Sequence, residues 1–167
     1  MGLTPLGGIP MGTRSGDLDP SIVTYLMNKE KLSLDEMNSI LNKESGAYGV
    51  SRVSVDFRDI ETEALAGGTH AKLALNVFHY LVAQYIAKCA VAMGGFDVLT
   101  FTAGVGEKGP ISRKAICEQL GVFGVKIDNE KNKIRGEEVE LSSEDSKVKV
   151  YVVPTNEELM IARETLN

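Results

Sequence analysis

Four stretches of this sequence carry residue types and spacings that suit phosphate or nucleoside chemistry. The first is Met11-Gly12-Thr13-Arg14-Ser15-Gly16-Asp17. Small residues on either side of Arg14 keep space clear around a planar guanidinium. Such a group grips phosphate or carboxylate through two parallel hydrogen bonds and stabilises charge on a transferring phosphoryl group. The competing reading is a surface arginine paired with Asp17 or Asp19. The second stretch, residues 98–107, is an apolar, partly β-branched run that stops at Gly104-Val105-Gly106. A buried strand that ends in Gly-x-Gly and hands over to a helix lets backbone press against a phosphate or nucleoside. The same pattern also marks an ordinary tight strand-to-helix turn. The third is Asp56-Phe57-Arg58, where Asp56 suits a ribose hydroxyl and Phe57 or Arg58 a base. Against this, Asp56 also reads as a helix cap or first-turn carboxylate. The fourth is Glu157, on the first turn of a helix after a strand, where open α/β sheets place ligands. A carboxylate there can hold Mg²⁺ directly or through water, or simply be solvated.

The elements that must position these residues follow from local pattern. Asp19-Pro20 predicts a helix start, with Asp as cap and Pro at the first position, followed by Ile22, Val23, Leu26 and Met27 at helical spacing. Ser33-Leu34-Asp35-Glu36 is a capping box opening a second short helix, with Met37, Ile40 and Leu41 on one face. Residues 45–50 read as a loop. Two short helices joined by polar linkers suggest a helical insertion near residues 19–50. A third helix follows Asp56 and closes at Gly67-Gly68. Residues 69–93 form the longest helix. Apolar side chains cover most of its circumference, which predicts burial on several sides, part against a sheet and part against another subunit of a homodimer. Pro110 opens the helix after the Gly-x-Gly turn. Residues 121–127 read as a short strand, 128–135 as a polar turn, 138–141 as an edge strand and 148–153 as a buried strand rich in β-branched residues. The last helix opens at Pro154-Thr155-Asn156-Glu157-Glu158, with Thr155 and Glu158 matching a capping box. That pairing leaves Glu157 with no structural duty.

Composition excludes several classes. The chain has 167 residues, 43% hydrophobic and 25% charged, with a net charge of −5. This suits one packed domain and no nucleic-acid partner, since neither a basic cluster nor an aromatic stripe is present. The apolar segment 71–93 carries Lys72, His79, Gln84 and Lys88, so it is not a membrane span. No signal peptide is expected, and Cys89 and Cys117 lack metal or disulfide spacing, which suits a cytoplasmic protein. Gly7 and Gly12 have the spacing of a P-loop, but Thr13-Arg14 stands where Lys-Ser/Thr belongs and no strand precedes it. His70 and His79 are too far apart on one helix to share a metal.

Taken together, Met11-Gly12-Thr13-Arg14-Ser15-Gly16-Asp17, Asp56-Phe57-Arg58-Asp59, Phe101-Thr102-Ala103-Gly104-Val105-Gly106-Glu107 and Pro154-Thr155-Asn156-Glu157-Glu158 closely resemble the motifs of the acetate kinase family, in order and spacing. The resemblance spans Met1 to Asn167. It implies an α/β, actin-like and hexokinase-like ATPase (ribonuclease H-like) domain, a mixed sheet flanked by helices. It also implies reversible phosphorylation of acetate by ATP to give ADP and acetyl phosphate. Family chains are more than twice this length, so residues 1–167 resemble the C-terminal nucleotide-binding domain, with the N-terminal domain absent. By the same resemblance Arg14 is the transition-state arginine and Pro5 belongs to the acetate pocket. Asp56, Phe57 and Arg58 contact the nucleoside. Gly104, Val105, Gly106, Glu107 and Lys108 form the loop against the nucleotide, and Glu157 binds Mg²⁺. The implied cofactors are ATP/ADP and Mg²⁺; the implied partners are acetate or acetyl phosphate and the N-terminal domain. Lys108 departs from the family, which has Asn there; lysine meets phosphate as a point charge but accepts no hydrogen bond. This half is expected to be inactive alone, because it cannot close a cleft. Two other readings stay open: a propionate or butyrate kinase, and a non-catalytic nucleotide-binding or dimerisation module.

Overall fold

In the computed structural model, which describes residues 2–166, the local helix-start signals are used as read. Met1 and Asn167 lie outside the described residues. The chain forms two compact units, Met1–Ile86 and Ala87–Asn167.

In the first unit, the Asp19 side chain accepts from Ser21 N at 2.9 Å and starts α1 (Pro20–Glu30). Ser33 and Glu36 form the reciprocal capping box of α2 (Leu34–Ser39), which runs directly into a π-helix, Ile40–Glu44. Residues 45–50 are not a loop: Gly46–Ser51 forms a short helix, α3. Two glycines there lower helix propensity, and no side chain caps the helix. It forms because carbonyls from elsewhere receive its first free N–H groups. Ala47 N donates to Met11 O at 2.9 Å and Tyr48 N to Gly12 O at 2.8 Å. Asp56 caps α4 (Phe57–Leu65), and α5 (Thr69–Met93) follows. Ala47, Ile60, Ala64, Ala71, Ala74 and Leu75 form a core, with Val50 and Phe57 packed against it.

The burial of α5 is narrower than its composition predicts. Ala71, Ala74, Leu75 and Phe78, at helical spacing, are buried, whereas Leu73, Tyr80, Val91 and Met93 are exposed. Alanines bring the close-packed side near its neighbours, with Leu75 and Phe78 filling the space beside them. His79 is 3% exposed, and burial pushes its imidazole down to about 4. Its folded value lies below its unfolded one, so between about pH 6.5 and 4 the unfolded chain binds the extra proton and stability falls as pH falls. We expect a loss of about 1–2 kcal/mol on acidification from pH 8 to 5. Urea unfolding at the two pH values should show His79→Leu lacking that part of the slope.

In the second unit, β1 (Val98–Phe101), β2 (Val139–Glu140) and β3 (Lys149–Val152) form a mixed sheet in the order β1-β3-β2. β1 runs parallel to β3, with Leu99 opposite Val150 and Phe101 opposite Val152; β2 is antiparallel to β3. β3 is the buried centre, with Val150 and Val152 fully covered. β1 is not the fully buried strand expected from its composition. It lies at the edge of this sheet, with Phe101 its one buried residue. Residues 121–127 form no strand. Gly121–Phe123 is a 3₁₀ turn closed by Gly124 at φ 81°, and pairing is reduced to single bridges at Val125 and Ile127. The remaining helices are α6 (Ala103–Lys108), α7 (Pro110–Gln119) and α8 (Glu157–Leu166), the last with no buried residue. None of the described helices is long and apolar enough to cross a membrane.

Candidate functional site

Arg14 sits on a loop whose backbone is bound on both sides. Thr13 O accepts from Ser45 N and Ser15 N donates to Leu41 O, both at 2.9 Å, and Arg14 O accepts from Met11 N at 3.0 Å. The surface alternative for Arg14 is not what forms. Asp17 is occupied by Gly8 N at 2.7 Å and Asp19 by Ser21 N, and among the described residues Arg14 makes no ion pair. Arg14 lines a cleft of about 810 Å³, together with Thr13, Asn38, Asn42 and Lys43. Pro5 is itself exposed, but its neighbours Thr4 and Leu6 line that cleft.

Asp56 takes the capping position. Its Oδ1 accepts from Arg58 N at 2.9 Å, and its carboxylate also holds the Arg58 guanidinium, with Nε at 3.0 Å from each oxygen. These hydrogen bonds from Arg58 bring its carboxyl down to about 2. The Phe57 ring is half-buried, 4.6 Å from Phe78, so it packs into the core while Arg58 stays at the surface. The three neighbours are thus a cap, a core ring and an exposed cation.

In the second unit, the Gly-x-Gly pattern does something other than turn the chain. Gly104 and Gly106 lie inside α6, and the left-handed residue that turns the chain is Ala103, at φ 59°. Such a conformation costs a non-glycine residue on the order of 1 kcal/mol. The Glu107 side chain offsets it, because its Oε1 accepts from Ala103 N at 2.8 Å. Gly106 is needed for close approach, since a Cβ there would come within 3.3 Å of the Phe101 carbonyl carbon. Around Gly104 a Cβ would meet nothing within 4 Å, so this part of α6 borders open space.

Glu107 joins this helix to the segment before α8. The same Oε1 also accepts from Thr155 N at 2.8 Å and Thr155 Oγ1 at 3.0 Å. The Thr155 backbone N–H leads the effects that hold the Glu107 carboxyl below the ordinary glutamate range. Thr155 therefore does not cap α8. Asn156 does, its Oδ1 accepting from Leu159 N at 3.0 Å. Glu158 and Glu157 are both exposed, Glu157 at the first turn of α8. Lys108 is exposed, and its carbonyl accepts from Arg135 Nη1 at 2.8 Å.

The other end of α6 is held by Arg113, which the sequence reading missed. Arg113 is fully buried and its guanidinium donates to Gly106 O, Glu107 O, Asn132 O, Ile134 O and Asn132 Oδ1, at 2.8–2.9 Å. A readable signal existed. Arg113 lies three and four residues before Ile116 and Cys117 on the covered face of α7, where an arginine must find internal acceptors.

The sequence matches the Acetokinase family over residues 1–163. The chain belongs to the acetokinase family. An acetate kinase of Treponema denticola is 58% identical over 166 residues, spanning 99% of this chain and 42% of that protein. Among solved structures, Porphyromonas gingivalis acetate kinase aligns with a TM-score of 0.94 at 44% identity, covering 99% of this chain and 42% of its own. A Francisella tularensis propionate kinase aligns with a TM-score of 0.91 at 41% identity, covering 98% of this chain and 42% of its own. This acetokinase-family chain thus spans about 42% of the length of these relatives. The likeness supports the expected actin-like ATPase fold class, with its mixed sheet and flanking helices.

Proposed function

We propose that residues 1–167 are the C-terminal, nucleotide-binding domain of an acetate kinase, and that the N-terminal domain completes the site. The observation that carries this reading is Arg14, which makes no ion pair among the described residues and lines a cleft from a loop bound on both sides. In the proposed reaction an acetate oxygen attacks the γ-phosphorus of ATP, a P–O bond forms to acetate, and the bond to ADP breaks. Arg14 neutralises charge on the equatorial oxygens through two parallel hydrogen bonds. Gly104, Val105, Gly106, Glu107 and Lys108 lie along the phosphates, with Glu107 fixing the helix and Lys108 supplying a point charge. Asp56, Phe57 and Arg58 bound the nucleoside, with Arg58 the exposed cation of the three. Pro5 contributes to the acetate pocket.

Glu157 is the proposed Mg²⁺ ligand. Glu157 is an exposed carboxylate in the first turn of α8. One carboxylate, completed by waters and nucleotide phosphates, is a donor set that suits Mg²⁺. Bound there, the ion would neutralise phosphate charge.

The similarity to a propionate kinase nearly matches that to an acetate kinase, which favours propionate as the second reading. We further propose a homodimer in which the exposed Leu73, Tyr80, Val91 and Met93 of α5 are covered. The test is calorimetry with Mg·ATP on the full-length enzyme, alongside turnover on acetate, propionate and butyrate. Gly104→Val should fold normally, because its Cβ meets open space, yet bind Mg·ATP at least about tenfold more weakly. Acetate should be the best of the three acids. Unchanged affinity in Gly104→Val would remove the nucleotide site from α6.

A further inference from the structure

We propose that Thr13 and the π-helix Ile40–Glu44 act as a clamp that sets the position of Arg14, which makes Thr13 a positioning residue for phosphoryl transfer. This rests on the role proposed above for Arg14. The argument begins with the carbonyl groups that any helix leaves unpaired at its C-terminal end. Here three successive carbonyls of the π-helix find partners outside the helical ladder. Ile40 O accepts from Ser45 Oγ at 2.7 Å, Leu41 O from Ser15 N at 2.9 Å, and Asn42 O from Thr13 Oγ1 at 2.9 Å.

The donors that would have continued the ladder are diverted to the same loop. Ser45 N goes to Thr13 O, Ala47 N to Met11 O and Tyr48 N to Gly12 O, at 2.8–2.9 Å. Residues 11–15 are therefore inserted as a splint between the end of the π-helix and the start of α3. Gly46 makes the approach possible. At φ 61°, a Cβ there would lie 2.2 Å from Met11 O and 2.7 Å from Arg14 O.

The loop around Arg14 is thus fixed by three backbone bonds, at Thr13 O, Arg14 O and Ser15 N, and one side-chain bond, from Thr13 Oγ1. Arg14 lines the cleft, which the π-helix residues Asn42 and Lys43 also line. π-Helices are rare, occur mostly as single turns and recur at functional sites. The wider turn here puts two consecutive carbonyls, of Leu41 and Asn42, within reach of the two residues flanking Arg14. Thr13 is the one side chain among these flanking contacts, so it can be changed without altering the backbone.

The experiment uses Thr13→Val, Thr13→Ser, Arg14→Ala and the Thr13→Val/Arg14→Ala double variant of the full-length enzyme. Because a displacement of about 1 Å in a positioned group can cost up to about 100-fold, Thr13→Val should lower kcat about tenfold. KM for Mg·ATP should stay within about twofold, and Thr13→Ser should restore most of the rate. In the Arg14→Ala background, Thr13→Val should cost nothing more, since the clamp then has nothing to position. A wild-type kcat in Thr13→Val, a loss not rescued by serine, or the same loss with and without Arg14 would each overturn the clamp. If Thr13→Val fails to fold, Thr13→Ala carries the same comparison without the added methyl. Arg14→Ala with wild-type turnover would instead overturn the reading of Arg14 and the clamp with it. Loss in Arg14→Ala beside an unaffected Thr13→Val would overturn the clamp alone.

Discussion

Arg14→Ala in the full-length enzyme is expected to lower kcat about 10³-fold while leaving the thermal unfolding midpoint unchanged. Removing a charge-stabilising arginine from phosphoryl transfer costs about 10³–10⁵ in rate, and the lower end applies where other cations share the charge. Stability should be spared for a structural reason. The bonds that fix the loop run through Thr13, Ser15 and the Arg14 carbonyl, not the guanidinium. Nor does the guanidinium leave an ion-pair partner stranded among the described residues. A coupled assay for acetyl phosphate, with a melting curve on the same preparation, checks both halves. Arg14→Lys should recover little, because a point charge cannot reproduce a planar two-pronged grip. Near-wild-type turnover in Arg14→Ala would leave the cleft without its proposed chemistry.

The second large effect belongs to Arg113 and is expected in stability. The five N–H donors of its guanidinium meet five acceptors, four of them backbone carbonyls from two separate segments. Arg113→Leu would fill part of the volume but leave Gly106 O, Glu107 O, Asn132 O and Ile134 O short of donors. Burying unsatisfied polar groups on this scale costs about 3–5 kcal/mol. Arg113→Lys should be nearly as damaging, since three donors on a flexible stem cannot span both segments. Denaturant unfolding would measure this, and a loss below about 1 kcal/mol would show that α6 is held by other means. Because Gly106 and Glu107 are the anchored residues, the same variants should also weaken Mg·ATP binding if α6 borders the nucleotide.

These two arginines show how differently residues declare themselves. Arg14 stands out in the chain because small residues surround it, and a surface pairing with Asp17 or Asp19 was its competitor. Both aspartates turn out to be engaged by backbone N–H groups. Arg113 stands out once α7 is known to cover its Ile116 side, since three of its five acceptors lie 19 and 21 residues along the chain.

The sequence alone determined the features whose causes are local. The caps at Asp19, Ser33 and Asp56 were readable because donor and acceptor lie two or three residues apart. The buried strand at Val150 and Val152 followed from β-branched content, and the long helix from its apolar-rich segment without glycine or proline. Tertiary structure decided what depends on distant partners. It made a helix of the glycine-rich segment 46–51, because carbonyls of Met11 and Gly12 received its N–H groups. It opened a π-turn whose Asn42 carbonyl meets a hydroxyl 29 residues away. It drew Gly104 and Gly106 into α6 and gave the turn to Ala103, because Glu107 reaches back to Ala103 N and across to Thr155, 48 residues on. Local propensity is set by neighbours a few positions away, whereas a polar group's final partner is set by where the folded chain brings an acceptor. That difference is why the capped helices and the buried strand could be read in advance and the scaffolding around Arg14 and α6 could not.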